Sequence, residues 1–419
     1  MFRKVLYNTG SQIIGKAVTA SATLFITLLI GRSLGPAGFG DFTKIFVFVG
    51  YFYTFADFGL NAVFIKLTLG KNTGNLIRYL VGLRLIIAIF LAATAILIGI
   101  ILPYDPMSNL GFSPQVKIGI FIASLTIITQ ALFTSANALF QKNLRYDLST
   151  IAAICGTLTI LVIILIATIV HASLLVYVAA YVVGGAILPI VAYYLIKKLF
   201  RQSIRPLFSK DQSGKLLILA TPIGLALIFN LIYFRIDVLI LSYTRSSYEV
   251  GLYGLAYQFF EAALAIPIFF ANALYPGLAA IYVNNKRDYR QQIKTWLLLL
   301  TLFSSATAVI LFIVSFLIPR LYDPRFTPSG TALQILAVGM PFFFISALLW
   351  HLLIIQDKQK LLIPVYALGA VFNITLNLIF IPIYGFLAAA AITVVSEALI
   401  LLLLIIVLRY NLCSSDIIR

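Results

Sequence analysis

Residues 8–28 read NTGSQIIGKAVTASATLFITL, an apolar stretch in which polar residues recur every three or four positions. About 20 residues are enough for a helix to cross a bilayer. At about 100° per residue, six polar residues share one face of that helix: Asn8, Gln12, Lys16, Thr19, Thr23 and Thr27. A membrane-spanning helix turns such a stripe away from lipid, where polar and ionisable groups are costly. The stripe therefore predicts a wet surface beside the first helix.

The whole chain has the composition of a polytopic membrane protein. Its 419 residues are 62% hydrophobic and 10% charged, with a mean hydropathy of +1.06, whereas soluble proteins have about 45 to 50% apolar and 25% charged residues. The predicted fold class is all-α. A window of about 20 residues predicts twelve transmembrane helices, near 9–31, 42–65, 79–102, 116–140, 148–170, 174–196, 215–241, 253–275, 295–318, 331–355, 361–381 and 386–408.

Positive charge is concentrated on one side of these helices. With the N-terminus inside, the inner segments hold 21 of the 30 Lys and Arg residues, and the outer segments hold six. This asymmetry follows the positive-inside rule. We therefore expect a multi-pass protein of the cell (plasma or inner) membrane with both termini cytoplasmic. The net charge of +17 then requires no nucleic-acid partner.

A basic loop near 197–215 divides the predicted helices into two sets of six. We expect an N-terminal six-helix bundle at 1–200 and a C-terminal six-helix bundle at 201–419, in the same orientation if the halves are duplicated. Polar stripes recur on helices 2, 4, 7, 8 and 11. A central polar cavity between the bundles would satisfy all of them. Its candidate substrate-binding residues beyond helix 1 include Asp57, Asn61, Gln130, Asn137, Asn230, Asp237, Gln258, Glu261, Asn373 and Asn377.

Cations within the spans are further candidates, because an ionisable group at the bilayer centre costs about 2.5 to 3.5 kcal/mol on translocon scales. Lys16 either snorkels to the lipid head groups or meets an anionic substrate. Arg84, near the inner end of helix 3, is either a head-group anchor or a weaker substrate contact. Arg235 points about 160° away from Asp237 on helix 7. Either each of these two has a partner on another helix, or one of them faces the cavity.

Two carboxylates near the middle of their stripes have the most functional character, Asp57 and Glu261. Buried and protonated, they would only hold helices together. Otherwise they would contact sugar hydroxyls, balance a cation in the cavity or exchange a coupling ion. Glu397, which lies beside Thr393 and Ser396 in helix 12, is more ambiguous.

Enzyme chemistry has little support in this sequence. The predicted outer loops are short, whereas a membrane glycosyltransferase or polymerase needs a large one for its reactive residues. His171 and His351 lie in unrelated segments, which argues against a histidine-based metal site or triad, and the chain lacks a GxxxxGK[ST] nucleotide loop. Cys155 and Cys413 suggest no disulfide framework. We expect a transporter with no cofactor and no metal.

Six segments along the chain form a recognisable series: LIGRSLGPAGFGDF (29–42), ADFGL (56–60), FRIDVLILS (234–242), VGLY (250–253), NITLNLIFIPIYG (373–385) and AAA (388–390). They extend over nearly the whole chain, in an order and spacing that are fairly specific. Together they resemble the polysaccharide flippases, the O-antigen and exopolysaccharide transporters of the multidrug/oligosaccharidyl-lipid/polysaccharide exporter superfamily.

This resemblance implies a flippase that moves a lipid-linked oligosaccharide from the cytoplasmic to the outer leaflet by alternating access, for the biosynthesis of polysaccharide such as the O-antigen of lipopolysaccharide. The usual carrier in that family is undecaprenyl pyrophosphate. Lys16, with Arg84 or Arg235 as weaker candidates, would hold the pyrophosphate. Its partners would be membrane lipids, a coupling ion (H+ or Na+) and other polysaccharide assembly proteins.

Other functions remain open alongside this one. Lipid II flippases share the architecture but usually carry fourteen helices and a more cationic cavity. Multidrug exporters of the same superfamily bind cations through acidic residues, and Asp57, Asp237 and Glu261 are compatible with that function. A lipid-sugar polymerase is a third alternative.

Overall fold

The structure is a computed structural model that describes residues 2–68, 74–284 and 286–416. Within these ranges it describes all side chains except those of 2–14, 16, 17, 226, 230, 269, 272, 273, 276, 280, 283, 284, 286, 287, 290 and 410–416. The chain forms two compact units, Met1–Leu231 (unit 1) and Ile232–Arg419 (unit 2). The predicted bundle boundary at residue 200 stays a prediction.

Unit 1 is built from six helices and the first part of a seventh. These are α1 (Phe2–Asp57), α2 (Leu60–Thr68), α3 (Leu76–Ile101), α4 (Pro114–Lys142), α5 (Tyr146–Ile169), α6 (Leu174–Phe200) and α7 (Lys210–Thr244), which continues into unit 2. A short antiparallel hairpin of β1 (Tyr104–Asp105) and β2 (Leu110–Gly111) connects α3 to α4. Helix α4 packs against α3 and α6, and α1 packs against α4 and α5. One apolar core joins α2 to α7, with Phe64, Leu80, Phe140, Ile196, Ile204 and Leu216 among its buried members.

Unit 2 contains the end of α7 and six further helices. These are α8 (Ser247–Asn284), α9 (Lys286–Leu321), α10 (Thr327–Val338), α11 (Met340–Ile355), α12 (Leu362–Tyr384) and α13 (Phe386–Asp416). Short 3₁₀ turns at Pro324–Phe326 and Gln359–Leu361 precede α10 and α12. Helix α8 packs against α10 and α11, and α13 packs against α10, α11 and α12.

The helices confirm the all-α polytopic fold. Nine described helices are long and apolar enough to cross a membrane, or ten if the bent pair Pro324–Val338 and Met340–Ile355 is one span. The first of them, Val18–Thr68, has 51 residues, about 76 Å at 1.5 Å per residue, and therefore contains the second predicted span, 42–65, together with residues 18–31 of the first. The predicted span 253–275 lies on α8. Each of the twelve predicted spans thus lies on helical structure.

Two breaks divide the long first helix. Gly35 has φ 65° and ψ −178°, and Pro36 follows it, so one helical segment ends here and another begins. Glycine adopts this φ without the clash of a Cβ, and proline suits the first turn of a new helix. A second break, at Phe58 (φ 44°) and Gly59 (φ 71°), was not predicted. The expected span 42–65 is therefore interrupted between α1 and α2.

The predicted basic loop is shorter than expected. Helix α6 extends to Phe200 and α7 begins at Lys210, so only residues 201–209 connect them. This connection is fixed to the start of α3, since the amide of Leu207 donates to the carbonyl of Arg78 at 3.0 Å. A Cβ on Gly82 would lie 2.1 Å from the Leu207 oxygen, so only glycine permits this close approach.

Candidate functional site

The polar residues of unit 1 are largely engaged by the protein itself. Thr19 donates to the carbonyl of Gly15 at 2.9 Å, and Thr23 donates to that of Thr19 at 2.8 Å. Hydroxyls in membrane helices commonly use the carbonyl four residues earlier in this way. The Thr23 side chain is nevertheless exposed. Gln12 and Lys16, also predicted on this stripe, lie outside the described side chains.

Arg84 on α3 is fully buried and forms hydrogen bonds with the C-terminal end of α1. Its Nε donates to the Ala56 carbonyl at 3.3 Å, and its Nη1 donates to Ser135 Oγ at 3.1 Å. Its Nη2 donates to the Asp57 carbonyl at 3.4 Å and to Asp57 Oδ1 at 3.1 Å. The last carbonyls of a helix lack partners within it, and this guanidinium supplies donors for two of them. With no exposed surface, Arg84 acts here as an anchor within the protein, not as an anchor at the lipid head groups.

Asp57 is the exposed side of this ion pair, because 36% of its side chain remains accessible. Asn61, four residues later, donates to the Thr134 carbonyl at 3.2 Å, and its buried Oδ1 has no partner among the described residues. Asn137 accepts from Ser149 Oγ at 2.5 Å. Gln130 is half-buried. The predicted residues of helices 2 and 4 therefore lie in unit 1, and only Asp57 of them forms an ion pair.

Unit 2 carries the other intramembrane arginine in a different setting. Arg235 on α7 pairs with Glu261 on α8, its Nη2 lying 2.6 Å from Oε1 and 2.7 Å from Oε2. The side chains are 30% and 50% exposed. The ring of Tyr257 lies 5.3 Å from the guanidinium carbon, and its hydroxyl donates to the Phe234 carbonyl at 2.8 Å. Two residues predicted as separate candidates thus form one accessible ion pair backed by an aromatic ring.

Asp237 is separated from Arg235 and is buried on the other side of α7. Its Oδ1 accepts from the Val238 amide at 2.7 Å. Its Oδ2 accepts from the hydroxyl of Tyr253 and, at 3.3 Å, from that of Thr393. Arg235 and Asp237 therefore each have a partner on another helix, which is one of the two arrangements their spacing predicted.

Asn373 and Asn377 join a buried polar cluster between α12 and α13. Asn377 donates to Asn373 Oδ1 at 2.9 Å, and Asn373 donates to Ser396 Oγ at 3.1 Å. Gln258 is half-buried, and the Asn230 side chain lies outside the described residues. The Tyr233 hydroxyl donates to Glu397 Oε2 at 2.9 Å.

Glu397, whose role is ambiguous in the sequence, is only 3% exposed. Its neighbours Thr393, one helical turn earlier, and Ser396, the preceding residue, are the signal that the sequence offers for this burial.

The accessible Arg235–Glu261 pair of unit 2 has the geometry of an anion-binding group. Among the described residues, His, Cys, Asp and Glu form no group of three that could hold a metal ion. What unit 2 offers is a guanidinium that is reachable from outside the protein. A guanidinium in an apolar surrounding is suited to bind phosphate or carboxylate.

Comparison with protein-family models shows which family this chain belongs to. A family model described as polysaccharide biosynthesis protein matches residues 3–282, well over half of the chain. The chain belongs to this family. This chain also matches a second model, described as MatE, over residues 222–379. It is thus a member of the multidrug/oligosaccharidyl-lipid/polysaccharide exporter superfamily, whose families are transporters and flippases and not enzymes. A search of curated protein sequences found no match.

Solved structures of transporters share its fold. A lipid II flippase, MurJ, in an inward closed conformation aligns with TM-score 0.75 and 15% identity over 96% of this chain and 87% of that one. An inward-facing multidrug resistance MATE family transporter aligns with TM-score 0.74 and 12% identity, over 94% and 95% of the two chains. The MATE multidrug transporter DinF-BH aligns with TM-score 0.66 and 16% identity, over 98% and 95%. This chain is therefore a multi-pass membrane protein with a transporter fold.

Proposed function

We propose that this protein flips a lipid-linked oligosaccharide repeat unit from the cytoplasmic to the outer leaflet of the cell membrane. The carrier would be of the undecaprenyl pyrophosphate type, and the product would supply polysaccharide such as O-antigen. The observation that carries this proposal is the match of residues 3–282 to a polysaccharide biosynthesis family in a chain with a transporter fold. An accessible cation within the apolar helix α7 is consistent with an anionic lipid as substrate.

A lipid with a sugar head group needs a protein in order to cross the membrane. Each uncompensated hydroxyl costs about 4 to 8 kcal/mol on entering hydrocarbon, so a sugar head group cannot cross unaided. A polar chamber would replace those lost hydrogen bonds while the polyprenyl tail stays in lipid. Lys16 and Arg235 would hold the pyrophosphate, and amide and hydroxyl stripes would contact the sugars. Arg84 becomes a poorer candidate, because all of its surface is buried.

The proposed arrangement places two six-helix bundles, 1–200 and 201–419, around a central polar cavity. Both termini would be cytoplasmic, in line with the distribution of Lys and Arg. Other polysaccharide assembly proteins would deliver and receive the cargo.

Transport would be driven by a coupling ion, H+ or Na+, or by the membrane potential, which provides about 2.3 kcal/mol per charge per 100 mV. Asp57 and Glu261 are the proposed coupling residues. Each is partly exposed and paired with an arginine, so an ion would compete with that arginine. In reconstituted vesicles, flipping that ignores both the ion gradient and the potential would count against coupling.

The first test is genetic. Deleting the gene should make lipid-linked single repeat units accumulate on the cytoplasmic side, because the flipping step is lost. Accumulation on the outer side would instead indicate a polymerase. Lys16→Ala should abolish export while the protein stays in the membrane, with the exposed Lys215→Ala as the matched control. Full export by Lys16→Ala would remove Lys16 from the substrate site.

A second candidate function is export of cationic drugs, favoured by the MatE match to residues 222–379. Under this alternative, deletion would change resistance to cationic compounds and leave lipid-linked sugars unaltered. Flipping of lipid II is a further alternative. Vesicles loaded with lipid II in place of the oligosaccharide lipid would distinguish it.

A further inference from the structure

The two intramembrane arginines of the described residues are paired alike but differ in access. Arg84 has no exposed side-chain surface beside Asp57, whereas Arg235 is 30% exposed beside a Glu261 that is 50% exposed. A charged pair exposed in an apolar helix faces water rather than lipid, because charge in hydrocarbon is expensive. Only the second pair is therefore placed to exchange its partner for a solute.

The guanidinium of Arg235 is only partly used by Glu261. Both short contacts involve Nη2, so the pair lacks the two parallel bonds of the strongest arginine-carboxylate geometry. Arginine has five N–H donors. Among the described residues, no hydrogen bond of Arg235 involves its Nε or Nη1. The Tyr257 ring, 5.3 Å away, holds the guanidinium from one side. Among the described residues, Nε and Nη1 are thus the donors left for an oxyanion, and we call them the free edge of the guanidinium.

The charges favour exchange when the oxyanion is a pyrophosphate. At rest, Glu261 neutralises Arg235, so the site exerts little attraction on weak anions. A lipid pyrophosphate carries at least two negative charges and several acceptor oxygens, and it can engage the free edge before Glu261 leaves. Glu261, already half-exposed, then returns to water at small cost. Once the phosphate is released, the Glu261 carboxylate pairs with the Arg235 guanidinium again.

We propose that Glu261 competes with the lipid pyrophosphate for Arg235, so that this pair sets the affinity of the site and promotes release of the substrate. This inference rests on the proposed function, because it identifies the ligand of Arg235 as the phosphates of the lipid carrier. It predicts that removing the Glu261 carboxylate strengthens binding of the lipid pyrophosphate. Removing a carboxylate that only supports the fold, or that contacts sugars, would weaken that binding or leave it unchanged.

The test measures binding of geranylgeranyl pyrophosphate to the purified full chain in detergent. Glu261→Gln should lower the dissociation constant by about two- to fivefold, which corresponds to the worth of a partly exposed ion pair. Arg235→Gln should raise it by about tenfold or more. Geranylgeraniol, which lacks phosphates, should bind all variants equally. Inorganic pyrophosphate as competitor separates recognition of free phosphate from recognition of the lipid.

Asp211→Asn is the matched control. It removes one carboxylate from an exposed pair with Lys215, at 2.9 Å, and changes the net charge by the same amount. Its dissociation constant should equal that of the parent protein. If folded Glu261→Gln binds the probe no more tightly than the parent, the proposal is wrong.

A measurement on the unmodified protein covers the case in which Glu261→Gln fails to fold. Modification of Glu261 by a water-soluble carbodiimide, followed by mass spectrometry, should increase when geranylgeranyl pyrophosphate is added, with Asp211 as internal reference. Unchanged or reduced modification overturns the exchange. Flipping assays with the oligosaccharide lipid fail or succeed independently of both results, so the two proposals are tested separately.

Discussion

Replacing Asp57 by alanine should destabilise unit 1 strongly. Arg84 is fully buried, and Asp57 is its only carboxylate partner among the described residues, with 3.1 Å between Nη2 and Oδ1. Removing one partner of a buried ion pair costs about 3 to 5 kcal/mol, because the remaining charge is uncompensated. Asp57 is 36% exposed, so water partly replaces it and the lower limit, about 3 kcal/mol, applies. For a unit of this size, that loss lowers the melting temperature by about 6 to 12 °C.

Cysteine and tryptophan residues of the chain can report the unfolding of each unit separately. Cys155 lies on α5 in unit 1, and a thiol-reactive dye in a Cys413→Ser background follows its exposure during heating. Trp296 and Trp350, the two tryptophans of the sequence, both lie in unit 2 and report on that unit. Asp211→Asn, which breaks only an exposed pair, should shift neither midpoint.

A double variant tests whether the buried charge of Arg84 determines the stability of unit 1. In Arg84→Met with Asp57→Ala no charge remains buried, so the double variant should be more stable than Asp57→Ala alone, by about 1 to 2 kcal/mol. If Asp57→Ala melts like the parent, or if the double variant is the less stable one, then the buried charge does not determine the stability of this region.

Three further substitutions test close contacts elsewhere. Gly385→Ala should cost about 1 to 3 kcal/mol, seen by tryptophan fluorescence during heating, since φ is 68° and the new Cβ would lie 2.1 Å from Glu249 Oε2. Gly82→Ala should speed tryptic cleavage of the 201–209 connection, because its Cβ would meet the Leu207 carbonyl at 2.1 Å; unchanged cleavage would contradict this contact. Lys44→Met should increase hydrogen exchange in the β1–β2 hairpin, whose Gly111 carbonyl accepts from the buried ammonium at 2.6 Å.

Much of the fold could be predicted from the sequence because it depends on local patterns. Hydropathy over about 20 residues identifies a span wherever it lies in the fold, and the glycine and proline at Gly35 and Pro36 mark a helix break by their own backbone preferences. The break at Phe58 and Gly59 escaped prediction, because Phe58 has no intrinsic preference for positive φ. Arg84, which donates to the carbonyls of Ala56 and Asp57 just before this break, comes from another helix.

The candidate site shows the same division between local and long-range information. Helical spacing placed Arg235 and Asp237 on different faces of α7, and the structure has them with different partners. The spacing did not reveal that the partner of Arg235 is Glu261. That pairing depends on how α8 packs against α7, which no periodicity within either helix specifies.

The sequence by itself determined that this is a multi-pass helical membrane protein, because burial in lipid demands long apolar helices whatever their arrangement. It also identified the few charged residues in those helices as the ones to explain. Only the tertiary structure decided their partners and their exposure. Arg84 and Arg235 look alike along the chain, yet packing encloses the first beside the end of α1 and leaves the second exposed beside Glu261. Accessibility is a property of neighbouring helices, and for that reason the sequence of one helix cannot specify it.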